Sequence, residues 1–243
     1  MILSFKNWSY ESFNLCFMRI SVVIPCYNEE ESIAKVIESI PEGVHEVLVV
    51  DNNSTDGTAA KARERGARVV FEPKQGYGSA LKAGFCNASG EVIATLDGDC
   101  QYPAELILEM AKFLEEERLD FLSGNRFPLK IKGSINRTRI VGNKLFTVAT
   151  NLIFPIRVKD SQSGMWVFRK KVLDHINLES DDMPLSQEIK IKVATHPSLK
   201  FAEYHIPYYP RTGESKLLPV KHGFINLYNL LKLRLTHKRP KRS

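Results

Sequence analysis

Between Ile20 and Gly124 the chain alternates, through short links, between apolar β-branched runs and segments whose apolar residues recur at helical spacing. No other feature restricts its fold as strongly. Ile20–Cys26 (ISVVIPC), Glu46–Asp51 (EVLVVD) and residues 91–97 (EVIATLD) are apolar enough to be buried on both faces, and 67–71 and 120–124 extend the set to five strands. Between them, residues 29–40 carry Ile33, Val36, Ile37 and Ile40 at the 3.6-residue period, and 55–65, 76–88 and 103–116 also read as helices. Strands buried on both faces and joined through helices predict an α/β fold, a mostly parallel sheet flanked by helices.

Past Arg126 the spacing loosens. The pattern predicts a long apolar helix over 140–154, a strand near 165–169, a helix near 186–195, an extended stretch near 199–209 and a last helix over 221–235. With 243 residues and no repeat or low-complexity linker, the chain reads as an extension (1–17), one domain (18–235) and a basic tail (236–243). Met18, directly before the first strand, is a second candidate translation start.

Charge is segregated. Residues 121–159 hold eight basic side chains and no acid, and 215–243 again eight and none, while the rest of the chain has 18 bases against 28 acids. An acidic body with two basic segments points to an anionic partner, either nucleic acid or a membrane surface and its phosphates. No run approaches the roughly 20 apolar residues that span a bilayer, and residues 1–17 lack the apolar core of a signal peptide. Cys16, Cys26, Cys86 and Cys100 are too scattered for a structural zinc and fit a reducing compartment.

In open α/β sheets ligands gather beyond the carboxyl ends of the strands. Three strands here end in polar or acidic runs: Pro25-Cys26-Tyr27-Asn28-Glu29-Glu30, Asp51-Asn52-Asn53-Ser54-Thr55-Asp56-Gly57 and Asp97-Gly98-Asp99-Cys100-Gln101. One such end is commonly a helix cap; three on one edge ask for more. Asp97 and Asp99, separated by a glycine, are spaced to turn toward one hard cation, Mg²⁺ or Mn²⁺, which also bridges phosphates, with Gln101 at the rim. Asp51 is placed to accept bonds from a ribose or base. Absence of G-x-G-x-x-G after the first strand and of G-x-x-x-x-G-K-[ST] argues against nicotinamide, flavin and P-loop chemistry.

SVVIPCYNEE, VLVVDNNSTDGT, KQGYGSALKAGF and TLDGDCQYPAELI together resemble the family 2 inverting glycosyltransferases of the GT-A fold. GNRF, NRTRIVGN, DSQSGMWVFRK and YYPRTGESKL are similar to the polyprenyl-phosphate branch, typified by dolichol-phosphate mannose synthase; the resemblance spans about 19–235. It implies a nucleotide-sugar half (18–125) and an acceptor half (126–235). Pro25, Tyr27, Glu29 and Asp51 would line the nucleotide pocket, and Asp97, Asp99 and Gln101 would hold the metal and donor diphosphate. Arg211 and Lys216 would close over the leaving group, making them, with Asp99, the catalytic set. Arg126, Arg139 and Asn143 would bind the acceptor phosphate, while Glu188 falls near an acidic acceptor-side residue of the family.

The implied reaction moves a hexose, mannose first, from a GDP- or UDP-sugar to a polyprenyl (dolichyl) phosphate. It would run on the cytosolic face of a membrane, by peripheral attachment or through a separate anchoring subunit. A phosphate acceptor is already anionic and needs no general base. Apolar faces within the basic segments, with Phe146, Ile153 and Phe154 and later Phe224, Leu227, Leu230, Leu231 and Leu235, would either rest on lipid or pack in the core. Rival readings are a UDP-glucose donor, a soluble or protein acceptor with Glu188 or Asp160 as base, an inactive relative, and a nucleic-acid-binding module, which would leave the acidic strand ends unexplained.

Overall fold

The computed structural model describes residues 18–213 and 219–236. The 1–17 extension, Lys216 and all of the basic tail beyond Thr236 lie outside the described residues. Elements follow in the order β1 (Ile20–Cys26), α1 (Ile33–Glu38), β2 (Glu46–Asp51), α2 (Thr58–Glu64), β3 (Arg68–Phe71), α3 (Tyr77–Asn87) and β4 (Val92–Thr95). A 3-10 turn (Ala104–Leu106) then leads into α4 (Ile107–Glu116), β5 (Phe121–Asn125), α5 (Arg137–Ile153), β6 (Trp166–Arg169), α6 (Leu185–Thr195), β7 (Phe201–His205) and α7 (Pro219–Thr236).

The seven strands form one sheet in the order β3-β2-β1-β4-β6-β5-β7. All neighbours pair parallel except at β6, which runs antiparallel to both β4 and β5. Strand alternation sorts the core onto the two faces. Ile20, Val22 and Ile24 meet Ile33 and Val36 of α1 and Ile107 and Met110 of α4. On the opposite face Val23, Leu48 and Val50 meet Leu81 and Phe85 of α3, and Trp166 and Phe168 meet Leu185 and Ile189 of α6. A third, smaller cluster joins Phe154, Ile156 and Val158 to Ile191 of α6 and Leu230 and Leu233 of α7.

Helix α1 starts four residues later than periodicity alone predicts. The Asn28 and Glu29 amides donate instead to Ser54 Oγ and Thr58 Oγ1 across the edge, and Ser32 Oγ donates to the Gly98 carbonyl, so this stretch shapes a loop. The lipid-facing residues expected of the 140–154 helix also need correction. Phe154 is buried and Ile153 packs beside it in the third cluster, whereas Val141, Leu145, Val148 and Leu152, on another face of α5, are exposed. On α7 the expected Phe224, Leu227, Leu231 and Leu235 are exposed, but Leu230 is 1% exposed and belongs to the core.

At the amino edge of the sheet Glu46 ties three neighbours together. It accepts from Ser21 Oγ of β1 at 2.6 Å, from Arg68 of β3 at 2.7 and 2.9 Å, and from the Ser89 amide and hydroxyl at 2.8 Å. Burial opposes its charge, but these donors outweigh that and bring its carboxyl from 4.5 down to about 2. A carboxyl lowered on folding adds stability above its unfolded pKa that is lost as pH falls toward the folded one. Glu46→Gln is therefore expected to cost about 1–2 kcal/mol at pH 7, with the gap to wild type narrowing from about pH 4.5 toward pH 2. Denaturant unfolding at pH 7 and at pH 3 checks both.

Candidate active site

Because β1, β2 and β4 run the same way, their carboxyl ends share an edge, with Cys26 in register with Asp51. Each following loop turns through one residue in the left-handed region: Asn28 (φ 52°), Asn53 (φ 63°) and Cys100 (φ 63°). Asparagine tolerates that conformation; for Cys100 it is local strain held at a binding edge. Beside these loops opens a cavity of about 690 Å³ that continues to the faces of α5 and α7.

Its acidic end holds Glu29, Asp97 and Asp99. Arg211 bridges two of them, with Nη1 2.6 Å from Asp99 Oδ2 and Nη2 2.6 Å from Glu29 Oε1. Asp97 Oδ1 accepts from the Tyr77 phenol at 3.0 Å. Burial and the like charge of Asp99 push the Asp97 carboxyl up to about 7, and burial also raises Asp99. Two carboxylates that repel one another are a donor set suited to a small hard cation, which needs only one or two of them when phosphate oxygens complete its shell. Among the described residues no third His, Cys, Asp or Glu joins them as a closed metal cage.

Pro25, Tyr27, Glu29, Asp97, Asp99 and Gln101 line the cavity, as do Arg126, Arg139, Asn143 and Arg211. Two expected residues are occupied otherwise. Asp51 is not in the lining; it is buried and its Oδ1 accepts the amide of Ser54, three residues on. Gln101 Oε1 accepts from Tyr208 Oη and its Nε2 donates to the Tyr209 carbonyl, so its amide braces the chain that leads to Arg211. Glu188, on α6, lies away from this cavity in a small cleft, where it accepts the Glu179 and Ser180 amides and pairs with Lys192. The sequence reading passed over Asn52 and Tyr77. Asn52 holds the 72–76 loop through the Glu72 and Lys74 carbonyls and the Gly76 amide. Its only sequence signal was its place directly after a strand-terminal Asp.

Residues 121–159 contain no acid, but the fold brings the next residue, Asp160, onto the first of the expected arginines. Arg126, 6% exposed, gives Nε and Nη2 to the two oxygens of Asp160 at 2.7 and 2.9 Å and lies 5.1 Å over the Tyr208 ring. Asp160 is 0% exposed and is not in the cavity lining. Burial opposes its charge, yet Arg126 and Lys190 keep its carboxyl below the usual range. Lys190 Nζ donates to the Asp160 carbonyl, and Glu203 accepts the Lys159 and Asp160 amides. Arg139 stands in the first turn of α5, where the Asn136 side chain accepts its amide. Removing one partner from a buried ion pair leaves the other uncompensated. Asp160→Asn should cost about 3–5 kcal/mol of unfolding free energy, and Arg126→Met combined with Asp160→Leu should cost less than the two single changes added. Denaturant unfolding of Asp160→Asn, of Arg126→Met and Asp160→Leu singly and of their combination tests this; additive losses would rule out the coupling.

Comparison with known proteins agrees with this geometry. The profile described as Glycosyl transferase family 2 matches residues 21–176. A dolichyl-phosphate hexose transferase of Haloferax volcanii is 35% identical over 214 residues, covering 85% of this chain and 90% of that protein. A dolichol-phosphate mannosyltransferase of Pyrococcus furiosus is 30% identical over 187 residues, 72% of this chain but 53% of its own length. Among solved structures, glucosyl-3-phosphoglycerate synthase of Mycobacterium tuberculosis with UDP superimposes with a TM-score of 0.75 at 22% identity, over 99% of this chain and 88% of that one. At that identity the likeness speaks to the fold, which is GT-A. Motifs, sheet edge and relatives converge: the chain belongs to glycosyl transferase family 2 and is a glycosyltransferase.

Proposed function

We propose that this enzyme transfers a hexose, with inversion, from a nucleotide diphosphate sugar to the phosphate of a polyprenol at a membrane surface. The observation that carries the reading is the shape of the cavity: acidic at the strand ends, basic at the start of α5, and continuous between them. A diphosphate donor with a divalent cation suits the first end and a phosphate monoester suits the second. The name of the Haloferax volcanii relative supports the acceptor. Mycobacterial synthase structures holding Mn²⁺ or Mg²⁺ with UDP support the cofactor.

In this reading Asp97 and Asp99 hold Mg²⁺ or Mn²⁺, which neutralises charge on the donor diphosphate. Tyr77 fixes one oxygen of Asp97, and Arg211 supplies positive charge to the departing nucleoside diphosphate; Lys216 would add to it. An oxygen of the acceptor phosphate attacks the anomeric carbon as the bond from that carbon to the diphosphate breaks, leaving a phosphodiester-linked sugar and a nucleoside diphosphate. The attacking oxygen carries no proton, so no base is required. The candidate bases fit that: Asp160 is spent on Arg126, Glu188 lies elsewhere, and no His is among the described residues that line the cavity. Arg126 and Arg139 would meet the acceptor phosphate, with Asn143 one turn along α5. GDP-mannose is the first donor to test.

The membrane enters through exposed surface. Nine of the eleven exposed large apolar side chains among the described residues lie on two helices, four on α5 and five on α7. Exposed Arg137, Lys144, Lys232 and Arg234 accompany them. Apolar side chains rimmed by bases match an anionic bilayer surface, and no described helix is long and apolar enough to cross a membrane. The reading is peripheral attachment on the cytosolic face, alone or beside an anchoring subunit.

Incubation with Mn²⁺, labelled GDP- and UDP-hexoses and a polyprenyl phosphate should carry label into the lipid phase with one donor. Asp99→Ala should lower that rate at least about 100-fold, and Arg139→Ala should act mainly through the acceptor KM. Label appearing only as free sugar or on a soluble acceptor would overturn the lipid acceptor. Flotation should place the protein with vesicles containing anionic lipid and not with neutral ones; equal recovery with both would remove the electrostatic part of the attachment.

A further inference from the structure

The cavity ends in a notch between α5 and α7, lined by Thr138, Gly142, Asn143 and Phe146 on one side and Gly223 and Asn226 on the other. Helical spacing puts 138, 142 and 146 on one stripe of α5, while 141, 145, 148 and 152 form the exposed apolar stripe about 100° around the same helix. Whatever leaves the cavity past Gly142 and Phe146 therefore emerges beside exposed Val141 and Leu145. Glycine inside a helix is a net cost to that helix, and packing does not demand one at 142, where an added Cβ would meet nothing within 4 Å. At Gly223 an added Cβ would come only to ordinary contact, 3.9 Å from Phe146 Cζ. What both glycines provide is width. Asn226, 8% exposed, donates to Gln162 Oε1 while its own Oδ1 is buried with no hydrogen-bond partner; it marks the level at which the notch turns from apolar to polar.

We propose that the α5–α7 notch is the passage through which the first isoprene carbons of the acceptor leave the site for the bilayer, and that Gly142 sets its bore. The inference rests on the polyprenyl-phosphate reading and adds where the chain runs and which residue limits it. A phosphate held at the start of α5 then has its chain led out along the same helix, so head and tail are read by adjacent stripes of one element.

The test is a series of increasing bulk, Gly142→Ala, Gly142→Leu and Gly142→Trp, with Gly223→Leu from the facing wall. Readouts are kcat/KM for a polyprenyl phosphate, nucleotide affinity with Mn²⁺ and the thermal midpoint. Gly142→Ala should change kcat/KM less than threefold. Gly142→Trp and Gly223→Leu should lower it tenfold or more through acceptor KM, with nucleotide affinity within twofold of wild type and a thermal midpoint no lower. Wild-type kcat/KM in Gly142→Trp would overturn the passage, as would a parallel loss of nucleotide affinity, which would make 142 a packing position. If the wild-type protein glycosylates a soluble phosphate acceptor and no polyprenyl phosphate, the acceptor reading itself falls, and the passage with it.

Discussion

Thr95, at the end of β4, accepts the Trp166 amide at 2.9 Å and donates its hydroxyl to the Gly164 carbonyl at 2.6 Å. Those two bonds extend, past its last ladder pair, the pairing that holds the one antiparallel strand between β4 and β5, and much of the site depends on that strand. In a parallel strand the loop that follows it reaches the ligand edge; in an inverted strand it is the loop before it. The reversal of β6 thus brings residues 158–165 to the edge where β4 and β5 end. Asp160 then meets Arg126, Gln162 meets Asn226, and the Gly164 amide meets Tyr102 Oη. The acidic and basic ends of the cavity face each other because one strand of seven runs backwards.

Each end draws opposite charges into direct contact and partly out of water, and each handles the cost in its own way. At the acidic end a single guanidinium, Arg211, pairs with both Glu29 and Asp99, and burial still raises the carboxyls of Asp97 and Asp99. At the basic end Arg126, Asp160 and Lys190 form a buried set flanked by half-buried Glu203, in which burial brings the Lys190 ammonium down to about 7. Buried charges of this kind seldom add much stability over well-packed apolar residues. Their evident product is orientation: the Arg126 plane is fixed by two bonds to Asp160 and by the Tyr208 ring.

The sequence made the first half legible to within a few residues, since strands buried on both faces and helices at 3.6 spacing leave few alternatives. β1 and β2 have the predicted bounds. The inverted strand was not legible: Trp166–Arg169 has the composition of any buried strand, and no local pattern records the direction of its neighbours. The Arg126–Asp160 pair was missed for a similar reason, its members lying 34 residues apart. Asp51, Gln101 and Glu188 show the limit of reading roles from motifs, because a polar residue at a strand end or on a helix can equally be spent on backbone amides, as Asp51 and Glu188 are. On α5 the buried residues and the exposed apolar ones lie on different stripes; sequence periodicity alone did not say which stripe faced the core.

Helix α5 opens with Asn136 as its cap, Arg137 and Arg139 in its first turn, and no acid there. The aligned peptide dipoles of a helix already place about half a positive charge at that terminus, so two guanidinium groups on it oppose the helix that carries them. An acidic first turn would have relieved this from within. An anion seated at that turn would relieve this and would strengthen the turn as it bound. If the proposed acceptor phosphate sits there, the firmness of α5, and with it the set of the apolar stripe on its flank, would follow whether that phosphate is bound.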